Sequence, residues 1–256
     1  MPASVKLQEQ YGDDLQVIFV ECQNSTKDTY EAMAWKMKWM GNAAMWTEER
    51  PLSTTGSGLP ETALIGADGS VLMQGHPGNM GKKLEEAIAA EVKKAKQAPA
   101  GTPKELEKAW SLFGKGDVAA AIAECDKVAS DAAKSAKEEF VARTNAKLAR
   151  VAWLLEHGYV VAADELVTKL EKSVKADAEL APKVAEQKSK LAAADLEKER
   201  EADKAYSTFT ADVAKKKPFD PGNAKRAESM AKKFADTKAG KRFERFVAIS
   251  KVEVNK

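Results

Sequence analysis

Apolar positions change their period several times along the chain. Val5, Leu7 and Tyr11 mark the end of an amphipathic helix that Gly12 closes as a C-cap. Leu15-Gln16-Val17-Ile18-Phe19-Val20 is a β-branched and aromatic run, which predicts a strand buried on both faces of a parallel sheet. Asp28 is the expected N-cap of a second helix that runs to about Met40 and stops before Gly41. Within it Met33 and Met37, and Trp35 and Trp39, stand four positions apart, so their side chains read as packing rather than as a cofactor box. Residues 62–66 and 70–74 are apolar runs flanking Ala67-Asp68-Gly69, and an Asp-Gly between such runs predicts a β-hairpin. A loop at Gly75-His76-Pro77-Gly78-Asn79 then leads to an amphipathic helix over Lys82–Lys96. The order helix, strand, helix, hairpin, helix is an α/β pattern.

Beyond this point the pattern is helical only. Residues 97–103, Gln-Ala-Pro-Ala-Gly-Thr-Pro, lack large apolar side chains and read as a linker between domains 1–96 and 104–256. Helices are expected at about 103–113, 117–130, 134–156, 159–174, 178–216, 223–236 and 239–252. Gly114, Gly116, Gly158, Pro182, Pro218, Pro221 and Gly240 punctuate them. Ala109-Trp110-Ser111-Leu112-Phe113, then Gly116-Asp117 and Ala120-Ala121-Ile122, is similar to a tetratricopeptide-type helix pair. Ala227, Met230, Ala231 and Phe234, followed by Thr237, Gly240 and Phe243, give a second echo. The strict 34-residue consensus is not met. An all-α packing domain without a ligand is the alternative reading of the same residues.

Gly58-Leu59-Pro60-Glu61-Thr62-Ala63-Leu64-Ile65-Gly66-Ala67-Asp68-Gly69-Ser70-Val71-Leu72 resembles the thioredoxin-like family, of the extracytoplasmic thiol–disulfide oxidoreductase type. With the helix end at 7–12, the strand at 15–20 and the closing helix at 82–96, the resemblance spans about 95 residues. It implies a truncated α/β thioredoxin-like N-terminal domain followed by an all-α helical-repeat-like domain. It also implies a cis peptide bond before Pro60, with Leu59 and Pro60 as a substrate-binding edge for extended peptide. The family's first strand and its Cys-X-X-Cys are missing, so the resemblance leads to the expectation that Met1 is an internal methionine and that a secretion signal and the redox motif precede it.

Candidate chemistry is sparse. The two cysteines, Cys22 and Cys125, are 103 positions apart and read first as small buried apolar residues. Cys22 is the weak catalytic candidate, because it follows the strand at 15–20, at the edge where open α/β sheets gather their sites. It has no imidazole or helix N-terminus placed to activate it. His76 falls in the hairpin-exit loop and His157 just before Gly158. No residue spacing suits a metal, and no cofactor is expected. The net charge of +2 gives no field that would suggest nucleic acid or an anionic membrane. No apolar run is long enough to span a bilayer. Protein or peptide partners are the expectation. The location expected is periplasmic or cell-envelope if an upstream signal precedes, and cytoplasmic otherwise. Three readings stay open: the C-terminal part of a thiol–disulfide oxidoreductase, redox-inactive as given; a non-catalytic interaction module; and a structural platform in an envelope assembly.

Overall fold

The structure is a computed structural model that describes residues 3–39, 44–49, 52–55, 58–215 and 217–253. Helix takes up 67% of it and strand 5%, the latter in two separate two-stranded sheets. This corrects the expected α/β thioredoxin-like N-terminal domain: the protein is mostly helical. The reason lies in particular residues. Of the run at 15–20 only Phe19–Val20 forms a strand, β1, which pairs in parallel with β2, Ala44–Met45. Ile18 beside it is 51% exposed, so this is no strand buried on both faces. The hairpin strands β3, Thr62–Ile65, and β4, Val71–Gly75, form a sheet of their own.

The chain forms two compact units, each assembled from separated stretches. One contains the described residues up to Val17 together with 47–137; the other contains 18–46 and 138 onward. Residues 97–103 lie inside the first of these units.

In the first unit, α1 (Ala3–Tyr11) ends at Gly12, whose φ of +56° is the left-handed conformation expected of a C-cap. The Gln8 side chain accepts a hydrogen bond from the Val17 amide at 2.6 Å, fixing the turn that follows. β3 and β4 lie against α3, Pro77–Ala95, a helix interrupted at Gly81 by a non-helical backbone. The His76 ring nitrogen caps it by accepting from Gly78 N–H. A helix pair follows as the sequence predicts: α4 (Glu107–Gly114) and α5 (Val118–Cys125), with Asp117 accepting from Ala120 N–H as N-cap. Ala109, Trp110, Ala121, Ile122 and Cys125 are buried in this pair, as is Leu106 just before it. Gly114 is where the chain needs a glycine, since a Cβ there would stand 2.4 Å from the Lys96 carbonyl oxygen.

The second unit holds β1, β2 and α2 (Lys27–Met37), with most of α6 (Asp131–Glu156) and all of α7 (Val160–Val174), α8 (Leu180–Leu191), α9 (Glu197–Lys215), α10 (Pro221–Lys233) and α11 (Lys238–Ser250). The cap of α2 is Thr26, whose hydroxyl accepts from Thr29 N–H, rather than Asp28. This helix ends at Met37 with Lys38 in the left-handed region, short of the expected Met40; Met40 and Gly41 lie outside the described residues. The expected helix over 178–216 is two helices. Arg200 of α9 donates to the Leu191 carbonyl at the end of α8, giving an orphan helix-end acceptor a partner at the break.

Phe209, Phe243 and Phe246 form the centre of this unit's core and are essentially fully buried. Phe209 meets Phe246 edge-to-face at 4.8 Å and Phe243 at 5.4 Å, the geometry that ring quadrupoles favour. Burying each such ring contributes about 1.5–3 kcal/mol. Trp35 of α2 reaches the same core and meets Phe246 edge-to-face at 4.8 Å. Above that contact the Arg245 guanidinium grips α2 at two points, Glu31 at 2.9 Å and Asp28 at 2.6 Å. α2 thus connects the two parallel strands β1 and β2 and at the same time packs on α11.

Candidate functional site

The residues expected to bind substrate, Leu59 and Pro60, stand at the entrance to β3, and both are exposed. The peptide bond between them is cis, as the resemblance implies. Glu61 anchors the segment that follows. One of its carboxylate oxygens accepts from the Thr55 amide and the Thr55 hydroxyl, both at 2.7 Å, and from the Gln74 side-chain amide at 2.9 Å. Gln74 also donates to the Ser53 carbonyl. These bonds tie the stretch at 52–55 to the start of β3 and the end of β4.

At the other end of the hairpin, Asp68 builds the turn. Its carboxylate accepts from Ser70 N–H at 2.9 Å and from the Ser70 hydroxyl at 2.6 Å, which holds its pKa below the usual aspartate value. Gly69 takes a φ of +82°, a conformation only glycine adopts without strain. Glu91 on α3 accepts from Ala67 N–H, fastening the turn to the helix, and pairs with Lys94.

Between these fixed ends the hairpin is divided by the strand period. Leu64 is buried, as are Met80 and Ile88 on the neighbouring α3. Ile65 and Val71, paired directly across the ladder, are 52% and 45% exposed. Leu72, at the register irregularity, is 43% exposed, and Leu59 is 44% exposed. Four large apolar side chains are thus presented to solvent on one rigid turn-and-hairpin element. Isolated exposed apolar residues are ordinary, but a cluster on an ordered sheet is what a partner-binding surface presents. The sequence signal for it was available, since Ala63–Ile65 and Val71–Leu72 are apolar on consecutive rather than alternate positions.

Cys22 and Cys125 are both free. Cys125 is buried in α5, and burial pushes its thiol pKa up, with Asp126 acting in the same direction. Cys22 is half-buried beside Glu21, a buried carboxylate that accepts from Gln23 N–H at 2.6 Å. The nearby Tyr30 hydroxyl donates to the Phe19 carbonyl, and burial raises its pKa. Neither histidine serves Cys22. His76 caps α3, and His157 stacks on Trp153 at 4.1 Å with Nδ1 2.8 Å from the Trp153 carbonyl.

A second polar cluster, in the helical unit, escaped the sequence reading. Asp203, buried on α9, accepts from Arg242 of α11 at 2.7 Å and from Val161 N–H at the start of α7 at 2.9 Å. Arg242 donates also to the Gly158 carbonyl at 2.9 Å. Its guanidinium carbon lies 4.3 Å from the Tyr159 ring centre and 4.8 Å from that of Tyr206. Glu199 accepts from the Lys238 and Ala239 amides at the N-terminus of α11, which the helix dipole favours. The signal was a charged residue on an apolar face, since Asp203 precedes Tyr206 by three positions and Phe209 by six. The cluster joins three helices and is structural.

Among the described residues no group of three or more His, Cys, Asp or Glu could hold a metal ion. None of the described helices is long and apolar enough to cross a membrane. Comparison with family models, with curated proteins and with solved structures finds no match to this chain.

Proposed function

We propose that this chain is a non-catalytic protein-interaction module that engages a protein or peptide partner through the β3–β4 hairpin surface. One observation carries the reading: Leu59, Ile65, Val71 and Leu72 are exposed together on an element held rigid by Glu61 at one end and Asp68 at the other. A surface that is ordered before binding loses little conformational freedom on association, so its apolar area converts efficiently into affinity. Asp68 and Glu61 serve the hairpin's own geometry, and both histidines are engaged locally, so these side chains support a binding role over a catalytic one.

The test is fluorescence anisotropy of a labelled extended peptide with an alternating Val/Thr core, titrated with the full chain and with Ile65→Lys/Val71→Lys. The expected result is saturable binding that the double substitution weakens at least about tenfold, equivalent to about 1.4 kcal/mol. Equal binding by the two proteins would move the partner surface elsewhere. Insulin reduction that Cys22→Ser abolishes would assign catalysis and overturn the proposal.

A further inference from the structure

The exposed apolar residues do not by themselves say what covers them, but the backbone beside them does. Among the described residues β3 and β4 pair only with each other, so the outer edge of each strand presents peptide N–H and C=O groups. The two edges are not equivalent. β3 has Leu64 buried and is entered through Pro60, which has no N–H. β4, Val71-Leu72-Met73-Gln74-Gly75, is one residue longer and contains no buried residue, no proline and no charged side chain. Edge strands that are not meant to pair are protected by lysine, proline, inward-pointing charge or a bulge. β4 carries no lysine, proline or charge, and its one irregularity, at Leu72, lies at the turn end and leaves Met73–Gly75 in regular pairing.

From this geometry we infer that β4 is the receiving edge for an added strand, and that the occupant is an extended peptide segment of a partner protein. The inference rests on the interaction reading above and names its ligand. Three features fix the chemistry of that segment. Its paired length is four to five residues, set by β4. Over that length it is uncharged, because a charge beside Val71 or Leu72 would lose hydration with no counter-ion. Alternate side chains of the segment stand beside Val71 on the exposed face of β4, so those positions are β-branched or aromatic.

Antiparallel addition continues the ladder that β3 makes with β4 and is the more stable pairing per residue. β4 runs away from the Asp68 turn, so an antiparallel segment has its C-terminal end at that turn. The carboxylates there are Asp68, exposed and ionised, and Glu91, with Lys94 as the ammonium nearby. A lysine or arginine following the apolar core on its C-terminal side meets this net negative end. Such a pair is solvent-exposed and shifts affinity only a few-fold, so it selects orientation while the edge bonds and apolar contacts supply the binding.

The test uses the full chain and labelled peptides of one composition: a Val-Thr-Val-Thr-Val core with lysine at its C-terminal end, the same core with lysine at its N-terminal end, and two analogues N-methylated on alternate amides. Strand addition uses every second peptide amide. Methylation in one register therefore abolishes binding, with at least a tenfold loss, and methylation in the other register leaves it intact. The C-terminal lysine peptide binds about threefold tighter than its reverse, and Asp68→Asn removes that preference. Amide exchange slows within β4 on binding.

If both methylated analogues bind like the parent, the peptide docks on the apolar face; strand addition is then wrong, while the interaction reading stands. Binding that Ile65→Lys/Val71→Lys leaves unchanged overturns both. Concentration-dependent protection of β4 without peptide, with a dimer in sedimentation, makes the occupant a second copy and overturns the peptide assignment.

Discussion

Replacing Arg242 by alanine removes one side chain and exposes how the helical unit is locked. The guanidinium neutralises Asp203, whose side chain is 4% exposed, while its own side chain is 18% exposed. Deleting one partner of a buried ion pair costs about 3–5 kcal/mol, because the remaining charge keeps its desolvation cost without its counter-ion. Asp203 retains the Val161 amide, which places the loss near the lower end. The contacts with the Tyr159 and Tyr206 rings add roughly 0.5–1 kcal/mol each at partly exposed sites. The expected destabilisation is therefore about 3–5 kcal/mol. The Gly158 carbonyl also loses its donor, which loosens the turn between α6 and α7. Because the chain has two units, a local readout belongs beside the global one. Urea unfolding by far-UV circular dichroism gives the stability, and hydrogen exchange at the Val161 amide reports the lock itself. Adding Asp203→Asn to Arg242→Ala restores part of the loss, since a neutral amide needs no counter-ion; the coupling expected is about 1–3 kcal/mol. A loss below about 1 kcal/mol with unchanged Val161 exchange would refute the reasoning.

The remaining expectations are simpler. Gly240→Ala places a Cβ 1.9 Å from the Phe234 carbonyl oxygen, a backbone atom that cannot rotate away, and lowers stability by about 2 kcal/mol or more. Gly58→Ala, with nothing within 4 Å, stays within about 0.5 kcal/mol when both variants are compared by urea unfolding; equal effects of the two would contradict the packing argument. Iodoacetamide alkylates the half-buried Cys22 in the native protein, whereas Cys125, buried and with its pKa pushed up, reacts only after unfolding. Native labelling of Cys125, read by peptide mass, would show that α5 opens. Desolvation lifts the Tyr206 phenol from 10.0 to about 12, so the folded chain keeps a proton that the unfolded chain loses above pH 10. That contribution is complete below pH 10 and is lost as pH rises towards 12, on the order of 3 kcal/mol. Tyr206→Phe flattens this part of the stability curve; an unchanged slope between the two proteins would assign the loss to other groups.

Local chemistry made some elements readable and left others out of reach. The hairpin could be read because Asp68 and Gly69 write its turn into adjacent residues, and α5 because Asp117 caps it four residues after α4's Trp-Ser-Leu-Phe run. Both signals act over a few positions. The strand at 15–20 misled because β-branched composition reports compatibility with a buried strand, not the presence of neighbours to bury it. Ile18, exposed beside a two-residue β1, is the result. The destination of α2 was illegible for a different reason. Its Trp35 and Glu31 meet Phe246 and Arg245, more than two hundred positions away, and no periodicity within α2 says which apolar surface will receive it.

The same distinction separates the two candidate clusters. Asp203 and Arg242 are isolated exceptions on amphipathic helices, and a charge on an apolar stripe becomes meaningful only once its partner is known. Ile65, Val71 and Leu72 lie within eight positions of one another, so sequence placed them on one hairpin. Whether they were core or surface depended on what lies over the sheet. α3 covers the Leu64 side, which leaves the other side apolar, uncharged and edged by β4. An element that keeps its apolar residues exposed while a bulge and a Glu61 anchor hold its shape loses hydration free energy in the unbound protein. A partner strand along β4 is the arrangement that returns that free energy and gives the edge amides their hydrogen bonds at once.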